Sequence, residues 1–311
     1  MANSQRLPPL LVIVGPTASG KTALSISLAQ AFAGEIVSAD SRLLYRGLDI
    51  GTAKPTRAEC AGIPHHLIDI CAPDETLTLG QYQRLVYATI NAIHARGRLP
   101  ILVGGTGQYV KAVVEGWGIP EVPPHPRLRA ALARLGGAEL ARWLALLDPE
   151  KAAELEPRNV RRVIRALEVT LVTGRPISRL QRKSPPPYRV GMLGLAGERT
   201  WLYARIDARV ERMMAAGLLT EVMGLWQAGY EARLPALSGL GYRQLYDHLA
   251  GRLTLPEAVE RIKFETHRFA RQQNTWFRRD DPAIHWLDAT RPDLPAAAQT
   301  WVSAWLAGNN D

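Results

Sequence analysis

Leu10-Leu11-Val12-Ile13-Val14 runs directly into Gly15-Pro16-Thr17-Ala18-Ser19-Gly20-Lys21-Thr22, after which Ala23, Leu24, Leu28 and Phe32 recur at helical spacing. A short, wholly apolar run reads as a buried strand, and the three-to-four spacing reads as a helix. The eight residues between them match G-x-x-x-x-G-K-[ST] in the strand–loop–helix setting that this motif requires. Gly15 and Gly20 let the loop wrap with its N–H groups inward, and the helix adds its positive N-terminal end. Lys21 bridges phosphate oxygens, and the Thr22 hydroxyl suits Mg²⁺. Gly15, Pro16, Thr17, Ala18, Ser19, Gly20, Lys21 and Thr22 are therefore candidate polyphosphate contacts. ATP, GTP or another pyrophosphate ester would all fit.

Outward from this loop, short apolar runs recur at 36–37, 67–70 and 101–103, with a helical stretch at 81–95. Such alternation predicts an α/β fold: a P-loop NTPase-like parallel sheet flanked by helices. After Gly118 the chain changes character. Four prolines fall in 119–126, and 127–180 is helical in pattern and rich in Ala, Leu and Arg, until Ser184 and three prolines close the stretch. This predicts an inserted all-helical subdomain at 121–187, with 1–120 and 188–311 forming the catalytic core. Long helices are expected at 202–229 and 256–277, and a last strand at 284–287.

The chain has 311 residues, 47% of them hydrophobic, and only two cysteines. That composition excludes disordered, collagenous and disulfide-framework proteins. The apolar run at 10–14 is too short for a membrane span, and Arg6 with two prolines makes a poor signal peptide, so a cytoplasmic protein is expected. Cys60 and Cys71 lack metal-ligand spacing, and zinc is not expected. Net charge is +9, and it is unevenly placed. Arg158, Arg161, Arg162, Arg165, Arg175, Arg179, Arg182 and Lys183 face one acid, Glu168. Arg261, Lys263, Arg268, Arg271, Arg278 and Arg279 face one acid, Glu265. The rest of the chain is net acidic. Either two solvated helix faces or one polyanion gripped by both windows accounts for this.

Ligands of doubly wound sheets bind beyond the carboxyl ends of the strands. Asp40 follows the run 36–39 there, placed as a general base, a metal-linked carboxylate or a helix cap. Gly104-Gly105-Thr106-Gly107 offers close backbone approach and a hydroxyl, or simply a flexible strand-to-helix turn. His65 and His66 are adjacent on an extended segment and point apart, which argues against a shared metal.

Together, Ser38-Ala39-Asp40-Ser41-Arg42, Tyr45, Gly51-Thr52-Ala53-Lys54-Pro55, His65-His66-Leu67-Ile68-Asp69 and Gly104-Gly105-Thr106-Gly107 resemble, in order and spacing, the bacterial type of the tRNA dimethylallyltransferase family. The stretch 159–169, Ser238 to Arg243 and Arg271 to Arg278 resemble its arginine-rich insertion helix, its Gly-Tyr-Arg element and its Arg-Gln-x-x-x-Trp-x-Arg element. The resemblance covers about residues 10–287. Leu43 stands where many members have Gln, and Gln108 where many have Leu.

The resemblance implies transfer of a dimethylallyl group from dimethylallyl diphosphate to N6 of the adenosine just 3′ of the anticodon, in tRNAs reading codons that begin with U. It implies a cytoplasmic monomer using Mg²⁺, with the phosphate loop holding a diphosphate leaving group. Lys21 would neutralise that group, Asp40 would take the N6 proton, and Thr106 would hold the base. Arg205 and Arg209, four apart on one helix face, would clamp the diphosphate. The anticodon stem-loop would meet Asp40, Ser41, Arg42, Leu43, Thr106, Arg129, Arg161, Arg162, Val163, Ile164 and Arg165. It would also meet Ser238, Gly239, Leu240, Gly241, Tyr242 and Arg243, and then Arg271, Gln272, Gln273, Asn274, Thr275, Trp276, Phe277 and Arg278. Trp276 and Phe277 suit stacking on RNA, although such residues are more often part of a core. Three other readings use the same loop: a small-molecule kinase with a helical lid, an adenylate isopentenyltransferase, and an RNA-binding switch. A kinase has no need of the C-terminal basic window.

Overall fold

The computed structural model describes residues 7–308. In chain order its elements are β1 (Pro9–Val14), α1 (Lys21–Ala31), β2 (Gly34–Ser38), β3 (His65–His66), α2 (Leu79–Ala95), β4 (Leu99–Val103) and α3 (Gly107–Val114). Five helices follow: α4 (Pro126–Ala133), α5 (Gly137–Leu147), α6 (Pro149–Glu154), α7 (Val160–Thr173) and α8 (Ile177–Leu180). The chain then continues through β5 (Arg189–Ala196), α9 (Arg199–Ala215), α10 (Leu218–Gln227), α11 (Tyr242–Leu249), α12 (Leu255–Gln273), β6 (Ile284–Asp288) and α13 (Leu294–Ala307).

Six parallel strands pair in the order β3-β2-β4-β1-β5-β6. Every residue from Leu10 to Val14 is fully buried, because β1 lies mid-sheet with helices on both faces; such a strand can afford no polar alternation. Leu11, Ile13, Leu193 and Leu195 pack with Leu24 and Leu28 of α1 and with Val302 and Trp305 of α13. Each such aliphatic side chain contributes about 1.5–3 kcal/mol on burial. Successive strands leave β1 on opposite sides, β4 on one and β5 on the other, so the loop after β1 opens at the switch point of the sheet.

Two sequence expectations fail here. The run 67–70 is not a strand: Leu67 and Asp69 have φ of 59°, and pairing with β2 ends at His66. The single helix expected over 202–229 is broken at Gly217, whose φ of 96° closes α9 and opens α10.

Two compact units divide the described residues, 7–110 with 187–308 and 111–186. The second has its own core of Leu132, Leu140, Leu144, Val163, Leu167 and Ile177. Its ends are tied together: Gly118 N–H donates to Arg182 O, Ser184 N–H donates to Gly116 O, and Trp117 bridges Lys183.

Candidate active site

The phosphate loop is shaped by its glycines. Gly15 has φ of 146°, and a Cβ there would lie 2.6 Å from Leu195 O, so no other residue fits without moving β5. Gly20, φ 95°, caps α1. Lys21 turns its ammonium back onto Pro16 O at 2.7 Å. Burial lowers its pKa from 10.5 to about 8; the nearby Asp40 carboxylate opposes this fall and the Arg209 guanidinium adds to it. The buried Ser19 hydroxyl has no hydrogen-bond partner among the described residues, although it lies beside Gly15. An uncompensated buried hydroxyl in a phosphate loop suits an anion's oxygen. From α9, Arg205 donates to Ala18 O at 2.9 Å and covers the Trp201 ring at 4.8 Å. Arg209, one turn on, is pushed down in pKa by burial against the pull of Asp40.

Asp40 leaves the end of β2, where its carboxylate accepts from Arg42 N–H at 2.8 Å. No helix follows Asp40, so the helix-cap reading fails: the bond to Arg42 N–H closes a local turn and engages one carboxylate oxygen. Thr106 Oγ1 accepts from Ser41 N–H at 3.2 Å, tying the two strand ends together. Below them Tyr82 donates to Ser38 O at 2.9 Å and stacks on Tyr109 at 3.9 Å. The glycines of the 104–107 loop answer to the protein's own packing rather than to an approaching ligand. A Cβ would meet Ala39 O at 2.1 Å from Gly104, Gln273 Nε2 at 2.2 Å from Gly105 and Trp276 Cγ at 2.2 Å from Gly107.

A cavity of about 760 Å³ lies between the strand ends, α9 and the C-terminal part of the first unit. Thr17, Asp40, Ser41, Arg42, Thr106, Arg209, the run 238–243, Gln272, Gln273 and Trp276 all line it. Several of the sequence candidates are already engaged within the protein, including some that line the cavity. Arg42 spends its guanidinium on Pro235 O, Ala236 O and the Ser238 hydroxyl. Gln273 and Phe277 are buried. Arg271 donates to Tyr203 Oη, and Arg278 pairs with Asp280 at 2.8 Å; Asn274 and Thr275 are exposed.

In the second unit Arg161 and Arg162 are exposed, whereas Val163 belongs to the core. Arg165 and Arg129 converge on the wholly buried Glu168 at 2.6 and 2.8 Å. Burial raises that carboxyl's pKa, but hydrogen bonds from Arg129, His125 N–H and Arg165 outweigh it and hold it at about 2. His65 and His66 separate as expected, onto Ile63 O and the Glu35 carboxylate.

The sequence reading missed Glu221. Its carboxylate on α10 accepts from the N–H groups of Asp49, Ile50 and Gly51 at 2.9, 2.7 and 3.2 Å and from Tyr242 Oη at 2.6 Å. It thereby fixes one wall of the cavity. Burial and this carboxylate drive the Tyr242 phenol far above its usual pKa.

The fold and crevice define a phosphate-loop α/β protein with a helical insertion, whose anion cradle opens onto a carboxylate and a hydroxyl at the adjoining strand ends. The model of the IPP transferase family matches residues 43–280, and the chain belongs to that family. It is 57% identical over 302 residues to a tRNA dimethylallyltransferase of Roseiflexus sp. (strain RS-1), covering 96% of this chain and 99% of the relative. A tRNA dimethylallyltransferase of Chloroflexus aggregans is 55% identical, with 92% of this chain and 97% of the relative covered. Among solved structures, the tRNA isopentenylpyrophosphate transferase of Bacillus halodurans superposes with a TM-score of 0.72 at 40% identity, covering 97% and 96% of the two chains. A eukaryotic dimethylallyltransferase acting on tRNA gives a TM-score of 0.84 at 26% identity, covering 97% of this chain and 80% of that one.

Proposed function

We propose that this protein transfers the dimethylallyl group of dimethylallyl diphosphate to N6 of the adenosine immediately 3′ of the anticodon, in tRNAs reading codons that begin with U. One observation carries the reading: a single cavity holds Thr17 of the anion cradle together with Asp40, Thr106 and Arg209, in a chain 57% identical to a tRNA dimethylallyltransferase. The loop N–H groups, the Ser19 hydroxyl and Lys21 bind the diphosphate, and Arg209 faces it from α9. The N6 lone pair attacks carbon 1 of the prenyl chain, the C1–O bond breaks, and diphosphate leaves with the bonding electrons. Asp40 receives the proton from N6, and Thr106 orients the base. Stabilising charge on the leaving group is the main task of the cradle.

The Thr22 hydroxyl and a bound diphosphate are together a suitable oxygen set for Mg²⁺. Among the described residues no cluster of three or more His, Cys, Asp or Glu offers a separate metal cage. Magnesium supplies charge neutralisation at the leaving group. A base stacked in an anticodon loop must turn out to reach the cavity, and exposed arginines such as Arg161 and Arg162 on the helical unit grip the RNA backbone meanwhile. One crevice carries both donor and acceptor groups, so a monomer suffices, and the protein works in the cytoplasm. Among the described residues no helix is long and apolar enough to cross a membrane.

Purified protein is given labelled dimethylallyl diphosphate with tRNA, with AMP or with neither. Label entering tRNA alone is expected, and entry into AMP instead would overturn the choice of acceptor. Asp40→Ala should lower the rate at least a hundredfold, within the usual range for a general base, with tRNA binding retained. Equal losses in rate and binding would make Asp40 a recognition residue.

A further inference from the structure

Gln273 is the last residue of α12 and is only 5% exposed, yet its amide bonds to two different loops. Its Oε1 accepts from Thr17 N–H of the phosphate loop at 2.8 Å, and its Nε2 donates to Gly105 O at 3.0 Å. An N–H on one side and a carbonyl on the other allow only one orientation of the amide. Thr17 N–H is thus held by the end of α12. Three residues on, Trp276 lies against Gly107 so closely that a Cβ there would be 2.2 Å from its ring. The segment 273–276 is therefore keyed into the 104–107 loop at two points and into the phosphate loop at one. The same turn exposes Arg268, Arg271 and Gln272, and Arg268 and Gln272 also line the cavity.

We propose that Gln273 is a positioning residue that couples the two substrates: RNA engaging the end of α12 sets, through this amide, the conformation of the phosphate loop. The inference rests on the transferase reading above. Coupling between two ligands is reciprocal, so donor diphosphate and RNA each tighten the binding of the other by the same factor. Carrying the link through one side chain requires that both of its hydrogen bonds form at once.

The test is calorimetric binding of inorganic pyrophosphate with Mg²⁺, with and without an anticodon stem-loop RNA, and of the RNA with and without pyrophosphate. Wild type should show mutual tightening of about fivefold or more. Gln273→Met keeps the volume and removes both bonds, and the tightening should fall to about onefold. Gly105→Ala leaves Gln273 in the chain but puts a methyl group where the amide nitrogen lies, and it should have the same effect. If the methionine variant does not fold, Gln273→Glu takes its place, keeping the acceptor for Thr17 N–H and losing the donor to Gly105. Tightening that persists in the folded variants would overturn the coupling, as would wild type binding both ligands independently. Failure of wild type to bind either ligand would instead remove the transferase reading, and the inference with it.

Discussion

Lys21 titrates within reach of ordinary buffers, and its two pH effects have opposite signs. Burial brings its pKa to about 8 in the folded protein, against 10.5 for the unperturbed side chain. Between those values the unfolded chain binds more protons than the folded one, so the ligand-free protein should gain stability as pH rises from about 8 towards 10.5. Donor binding should run the other way, because a diphosphate binds the ammonium and not the free amine. At pH 9 only about one molecule in eleven still carries the charge, and each further unit costs about tenfold, or about 1.4 kcal/mol. The assay is kcat/KM for dimethylallyl diphosphate at saturating tRNA between pH 7 and 9.5, since this ratio reports ionisations of the form that has not yet bound donor. The donor's own terminal phosphate has lost its last proton by about pH 7.5 and does not enter. Urea unfolding across the same range reads the stability limb. Lys21→Met should lose both the fall in kcat/KM and the lysine's share of the rise in stability. A wild-type profile level to pH 9.5, or a fall that survives in Lys21→Met, would refute this account of the ammonium.

Glu221→Ala should destabilise the first unit by about 3 kcal/mol in urea unfolding, because it leaves the buried Tyr242 phenol and two half-buried N–H groups without their acceptor. A loss below about 1 kcal/mol would mean that water replaces the carboxylate. Replacing Arg161 and Arg162 together by Gln should reduce the slope of log tRNA affinity against log salt by about one to two without lowering Tm, as read by filter retention. Arg165→Gln should differ, costing about 2–3 kcal/mol because it uncovers part of the buried Glu168 charge. The Glu168 carboxyl is depressed from 4.5 to about 2, so its contribution is complete above pH 4.5 and is lost as pH falls through about 2. Acid unfolding that begins no lower in wild type than in Glu168→Gln would contradict this.

What the sequence reveals of this protein is what short stretches determine. The strand, the glycines and Lys21 are contiguous, and their geometry follows from their order. The 67–70 run fails because Asp69 N–H bonds to Leu43 O and its carboxylate holds Lys54, distant partners that override an apolar pattern. Gln272 and Gln273 are indistinguishable as letters, but the buried phase of α12, through Ala258, Ile262 and Ala270, reaches 273 and not 272. That periodicity was available and would have marked Gln273 as interior. Nothing comparable marks Glu221, whose backbone partners lie 170 to 172 residues away. The Arg165 side chain likewise looks like one more cation in a basic window until its buried partner is seen.

The tie between Gly116–Gly118 and Arg182–Ser184 bears on how the chain finds this fold. Strand β1 must meet β5, with Leu11 opposite Gly191, and β4 must be in place beside them, so the central pairings close over long stretches of chain. Once the helical unit's own core has formed and its ends are joined, the loop between β4 and β5 is shortened about fourfold in effect. At about 0.6 kcal/mol per doubling of loop length, that lowers the closure entropy by about 1.2 kcal/mol. The insertion thus acts as a clasp during folding, and loosening the 116–184 contacts should slow refolding more than it speeds unfolding.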